Sequence, residues 1–252
     1  MAAPTDRGSQ LMSMPFYISP DQMMKDRAEF ARKGIARGRS AITARYHDGI
    51  VFLAGNPSHT LHKVSEIHDR IGFAAVGRYH EFENLRVAGI RYADLRGYAY
   101  DRADVSARAL ANSYAQLLGT AFSAGAEKPY EVELVVAEVG DADPDTAVAQ
   151  GGDHADRLYR INFDGSVSDE GPFAVIGGHP GAVQDVLRTR LDPTAPLAMV
   201  VSTAMDALRR GGSPELGPAD VEVAVLDRTR IPSRKFVRLD VAQVAGLLGK
   251  ES

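Results

Sequence analysis

The sequence predicts an α+β fold in which helices pack outside antiparallel sheets, an αββα sandwich rather than a doubly wound sheet. Three observations carry this. β-rich and helical runs come in blocks: a helix, four or five strands, two helices, four strands, two helices, two strands and a last helix. Strand–helix alternation, the mark of a parallel sheet, is missing. Short turn signals such as His47-Asp48-Gly49 and Asp69-Arg70 join neighbouring β runs as hairpins.

The elements follow in order. Residues 1 to about 10 are small and polar, and we expect no regular structure there. Ser19 is a good helix N-cap and Pro20 suits the first helical position, where its missing N–H costs nothing. Met24, Ala28, Ala31 and Ile35 then recur at helical spacing, and Gly38 ends the run. Strands are predicted at Ser40–Tyr46, Ile50–Ala54, Val64–His68 and Gly72–Val76, with Gly77 closing the block. Two helices follow. One, from Tyr79 to Gly97, carries the stripe Phe82, Leu85, Gly89 and Ala93. The other, from Val105 to Phe122, carries Leu110, Tyr114, Leu117, Leu118 and Phe122. Strands resume at Tyr130–Val139, Arg157–Phe163, Ser166–Val167 and Phe173–Ile176. Helices at Gly181–Leu191 and Ala195–Arg210, strands at Val221–Leu226 and Phe236–Leu239, and a helix at Val241–Leu248 complete the chain. The stretch Gly140–Asp156, with five Asp and no Lys or Arg, reads as an exposed hairpin insertion.

Composition narrows the chemistry. Of 252 residues, 44% are hydrophobic and 25% charged, enough for a sizeable core without braces. The absence of Cys excludes disulfides, thiolate metal sites and a Cys nucleophile. A net charge of −4 gives no global basic field for nucleic acid. No apolar run approaches the roughly 18 residues of a spanning helix, and the N-terminus lacks a signal-peptide pattern. We therefore expect a cytoplasmic location, with neither membrane nor nucleic acid as partner. The seven His show no metal-binding spacing, so no cofactor or metal is expected. Gly177-Gly178-His179-Pro180-Gly181 precedes a helix and fits a tight strand-to-helix turn better than a phosphate cradle. Tyr98, Tyr100 and the Arg residues near them suggest a polar contact surface but no nucleophile–base pair. Only six Lys are present, so each stands out.

Several segments together carry a resemblance. They are Ile18-Ser19-Pro20-Asp21-Gln22, Glu29-Phe30-Ala31-Arg32-Lys33-Gly34-Ile35, Lys63-Val64-Ser65-Glu66-Ile67 and Ile71–Gly77. Further along come Arg91–Asp101 with Tyr98-Ala99-Tyr100-Asp101, Lys128-Pro129-Tyr130-Glu131-Val132 and Leu158–Gly165. In this order the chain resembles a proteasome α-type subunit of the actinobacterial kind, from about Met12 to Leu248.

The resemblance implies an N-terminal-nucleophile hydrolase fold, with a tail over residues 1–18, a helix over 19–38 and the sandwich over 40–250. It implies a homo-heptameric α ring capping β subunits that hold the threonine peptidase sites, a ring-shaped AAA ATPase activator, and unfolded protein substrates marked for degradation. Catalysis in that family needs a threonine freed at the mature N-terminus. Here a helix precedes the first strand and no Gly-Thr processing junction stands before Ser40, so no catalytic residue is expected. The alternative is an active hydrolase processed near Ser40. The resemblance assigns gating to Met14, Pro15, Phe16, Tyr17 and Ile18. It assigns a pocket for activator C-terminal tails to Lys63, Gly38 and Gly77, with Glu29 as a wall group.

Overall fold

The first helix, α1 (Pro20–Ala36), starts as its cap residues dictate: Ser19 Oγ accepts the Gln22 N–H at 3.2 Å and Pro20 occupies the first turn. The computed structural model describes residues 19–58, 60–124, 128–140 and 156–249. Arg27, Ala31 and Ile35 form the buried face of α1.

β1 (Ala41–Tyr46) and β2 (Gly49–Gly55) form a hairpin around His47-Asp48. Gly49 sits at φ +150°, where a Cβ would fall 2.0 Å from Leu226 O, so a side chain is excluded there. β3 (Val64–His68) and β4 (Ile71–Gly77) make the second hairpin. α2 (Tyr79–Ala99) and α3 (Ala107–Ser123) follow, joined through a 3₁₀ turn at Arg102–Asp104. Then come β5 (Val132–Glu138), β6 (Arg157–Ile161), β7 (Val167–Glu170) and β8 (Phe173–Ile176). α4 (Pro180–Arg190), α5 (Leu197–Arg210), β9 (Val221–Asp227), β10 (Phe236–Leu239) and α6 (Val241–Leu248) complete the fold.

Two antiparallel five-stranded sheets result, ordered β10-β9-β2-β1-β8 and β3-β4-β5-β6-β7. Period-two alternation sorts each strand's side chains between two cores. In β1, Ile42, Ala44 and Tyr46 pack with Val201, Met205 and Leu208 of α5. Ala41 turns the other way, into the layer between the sheets with Phe52, Val76, Val135 and Leu226. The outer face of the second sheet meets α2 and α3 through Phe73, Val136, Phe82, Leu85, Leu110 and Tyr114. The predicted αββα sandwich is thus the observed fold, and α1 lies against β4 and β5, with Ala31 and Ile35 packed on Phe163.

Two differences from the sequence reading are instructive, and the Gly177-Gly178 turn takes the tight form expected of it. Leu117 is exposed, because it lies off the stripe of Leu110, Ala111, Tyr114 and Leu118 that meets the sheet. β7 extends to Glu170, beyond the expected Val167, as a polar edge strand whose exposed face hides any apolar alternation. The glycines at 177 and 178 take φ +71° and +56°, and a Cβ on them would strike Val76 and Ser40. That turn is filled by the protein's own atoms. The acidic stretch joins the paired strands β5 and β6, and its residues 141–155 lie outside the described residues. At its base, Asp156 Oδ1 accepts the Gly140 N–H at 2.8 Å.

Candidate functional site

The predicted pocket residues come from three separate elements, and the fold brings three of the four together. After the C-cap of α1, Gly38 donates its N–H to Ile35 O at 3.0 Å. A Cβ on Gly38 would lie 2.5 Å from Val76 Cγ1 and 3.7 Å from Gly77 N, so both glycines sit in one close approach. Gly77 ends β4 at φ +128°, with Glu131 O 1.9 Å from where its Cβ would be. These two positions need glycine for backbone proximity and, at Gly77, for conformation.

Lys63 immediately precedes β3. Its Nζ donates to Arg39 O at 3.0 Å and Gly55 O at 2.9 Å, bridging the α1–β1 connection and the end of β2. The Arg39 carbonyl is one residue from Gly38, which places the ammonium beside the glycine contact. Burial, aided by the Arg39 charge and opposed by Glu222, lowers the Lys63 pKa from 10.5 to about 8. Lys63 is therefore anchored through two carbonyls rather than a freely solvated loop lysine, and its ammonium retains a third N–H.

Glu29 is not part of this group. It pairs with Lys33 one turn on, at 2.6 Å, and both side chains are more than 60% exposed (63% and 69%). The Lys33 hydrogen bond and charge hold the Glu29 carboxyl below its usual pKa. Met14, Pro15, Phe16, Tyr17 and Ile18 lie outside the described residues. Ser40, the position weighed as a processed nucleophile, is buried and its Oγ donates to Gly177 O at 3.0 Å. Thr43 is buried in mid-β1. Among the described residues no group of three or more His, Asp or Glu is placed to hold a metal, and no helix is long and apolar enough to cross a membrane.

Two residues of this region were not anticipated. Asn56 and Glu222 are both buried, and Asn56 Nδ2 donates to Glu222 Oε2 at 3.0 Å. The Lys63 backbone N–H donates to the same oxygen at 2.9 Å. Glu222 had one visible signal: a lone charge inside the apolar run Val221–Leu226. A groove of about 720 Å³ opens nearby between the edge strands β3 and β10, lined by His62, Ser65, Glu66, Arg234, Phe236 and Arg238 among others.

Comparison with known proteins agrees with this architecture. Residues 35–226 match the family described as Proteasome subunit. A protein of Nocardioides sp. named Proteasome subunit alpha is 58% identical over 241 residues, covering 95% of this chain and 91% of the relative. One of the same name from Streptomyces griseus is 55% identical, covering 96% of this chain and 87% of its own. Another, from Acidothermus cellulolyticus, is 55% identical and covers 94% and 98%. The two stacked antiparallel sheets, the flanking helix pairs and these likenesses together establish that the chain belongs to the proteasome subunit family, with the alpha subunits as its relatives.

Proposed function

We propose that this chain is the non-catalytic alpha subunit of a proteasome core, and that Lys63 receives the C-terminal carboxylates of a ring-shaped ATPase activator. In this reading homo-heptameric alpha rings cap beta rings that carry the threonine peptidase sites. The N-terminal segment, with Met14–Ile18 at its core, gates the passage of unfolded, modified proteins in the cytoplasm. One observation supports docking above the others. The Lys63 ammonium is held at the α1–β1 connection with one N–H beyond its two carbonyl bonds. A terminal carboxylate needs such a fixed cation, plus backbone it can approach closely, which Gly38 and Gly77 supply. The Ser40 and Thr43 hydroxyls sit in the continuous chain without a free amine beside them, which supports a non-catalytic subunit.

The test uses alpha chains co-assembled with beta subunits. Lys63→Ala and Lys63→Glu are expected to leave assembled particles but abolish stimulation of proteolysis by the ATPase ring. Undiminished ATPase-dependent proteolysis would remove Lys63 from docking. Deletion of residues 1–18 is expected to raise hydrolysis of small peptides by the same particles, and an unchanged rate would deny that segment a gating role.

A further inference from the structure

Glu222 is the second residue of β9, in the first sheet, yet its carboxylate serves the start of β3 in the second. Oε2 accepts the Lys63 N–H at 2.9 Å and Asn56 Nδ2 at 3.0 Å, while Oε1 accepts the Val64 N–H at 3.3 Å. The Arg238 guanidinium donates to Oε1 from β10, and His62 Nδ1 lies 3.2 Å from it. The residue is only 8% exposed. A carboxylate offers about four acceptor sites, and here they are taken by donors from β10, the β2–β3 connection and β3 itself.

Both ends of the connection between β2 and β3, Asn56 and Lys63, turn inward onto this carboxylate. Asn56 N–H donates to Asp220 O at 2.8 Å, Asn56 Nδ2 also reaches Leu61 O at 2.8 Å, and Asn56 Oδ1 accepts the Ser58 N–H at 3.1 Å. Both ends of the segment are therefore fixed on β9 and the turn before it. Lys63 leaves this scaffold with its backbone held by Glu222 and its side chain aimed at the Arg39 and Gly55 carbonyls.

We propose that Glu222 is a positioning residue for Lys63, holding the 56–63 connection in the one placement that delivers the ammonium to the α1–β1 junction. The proposal rests on the docking reading for its functional consequence, but not for its structural one. A neutral amide of the same shape keeps a single acceptor oxygen, so it could serve the Lys63 N–H or the Val64 N–H, which go to different oxygens, but not both. The charge does more: Glu222 favours the protonated amine, against the opposing charge of Arg39. Among the described residues, the charged or titratable groups facing the amine and its support are Arg39 from the α1–β1 connection, Glu222 from β9, Arg238 from β10 and His62 from the connection itself.

The test uses full-length alpha chains in assembled particles. Lys63 is labelled to trace extent with an amine-acylating reagent across a pH series, and its peptide is quantified by mass spectrometry. The other lysines serve as internal references. Glu222→Gln is expected to move the Lys63 reactivity midpoint down by about one pH unit, leaving the other lysines in place. Stimulation by the ATPase ring is expected to fall several-fold in the same particles. Should Glu222→Gln fail to assemble, Arg238→Gln keeps the carboxylate and removes its competing partner, and the midpoint is expected to rise. A Lys63 midpoint that stays at the wild-type value in the variants that assemble overturns the proposal. Full stimulation of Lys63→Ala particles would instead overturn the docking reading, leaving the labelling result to decide on Glu222.

Discussion

Gly34 of α1 lies directly against Glu131: a Cβ at position 34 would fall 2.0 Å from Glu131 Oε2. The carboxylate cannot simply swing aside. It is buried, with Arg78 Nε at 2.6 Å and Lys128 Nζ at 3.4 Å, and the Glu131 backbone N–H donates to Glu81 at 2.7 Å. This polar cluster forms the seat of α1 on the start of β5 and the N-terminus of α2. Gly34→Ala gains helix propensity, yet overpacking against a pinned charge outweighs that gain. The variant is expected to lose about 1–3 kcal/mol of stability, read as a lower thermal midpoint. A midpoint equal to or above wild type would mean that α1 shifts freely on its seat.

Arg27 holds the middle of the helix. Its Nε donates to Phe122 O at 3.1 Å and its terminal nitrogen to Ala121 O at 3.0 Å, carbonyls of the last turn of α3. The guanidinium also lies 5.7 Å from the Phe122 ring centroid. One planar cation thus satisfies exposed carbonyls, complements the negative end of the α3 dipole and covers an aromatic face. Arg27→Ala is expected to cost about 2 kcal/mol and to speed amide exchange in α1 and the last turn of α3. Arg27→Lys cannot reproduce the fork and is expected to recover only part of the loss. Exchange rates in α1 unchanged by Arg27→Ala would show that the apolar face alone carries the attachment.

Asp156 fixes the base of the acidic stretch to the first sheet. Besides the Gly140 N–H, its carboxylate takes Arg228 at 2.6 Å, and its carbonyl takes Arg45 at 2.7 Å. Asp156→Ala leaves a partly buried guanidinium and a buried N–H without an acceptor, and we expect about 3 kcal/mol of destabilisation. Asp156→Asn keeps one of the two acceptor oxygens and is expected to cost less than Asp156→Ala. A double-mutant cycle with Arg228→Met measures the coupling, and a value near zero would reduce this contact to packing.

Local chemistry was legible in the sequence; distant pairing was not. Ser19 and Pro20 announce α1 because capping depends only on residues within one turn. The hairpins announce themselves because turn residues and flanking alternation are neighbours in the chain. The exposure of Glu29 was also visible, in its spacing of four from Lys33, a solvent-face pattern. β7 escaped full recognition because none of its four residues is buried, so no apolar alternation marks it. The bond between Glu222 and the Lys63 backbone spans 159 positions. No periodicity encodes such a distance, and the only hint was a charge where the strand pattern called for an apolar residue.

The acidity of Lys63 yields a prediction with two opposed arms. Folding lowers its pKa from 10.5 to about 8, chiefly because the amine is buried. Between those values the unfolded chain binds more protons than the folded one, so this group's contribution to stability rises with pH across that window. Docking runs the other way. The proposed carboxylate partner needs the ammonium, which is present below about 8 and titrates away above it. Affinity of a peptide with the activator's C-terminal sequence is therefore expected to decline above pH 8, by up to about tenfold per pH unit. Lys63→Arg keeps its charge throughout and is expected to remove that decline, even if its affinity at neutral pH is lower. Parallel pH profiles for wild type and Lys63→Arg would show that the decline belongs to another group, and that the Lys63 charge is not what the tail carboxylate meets.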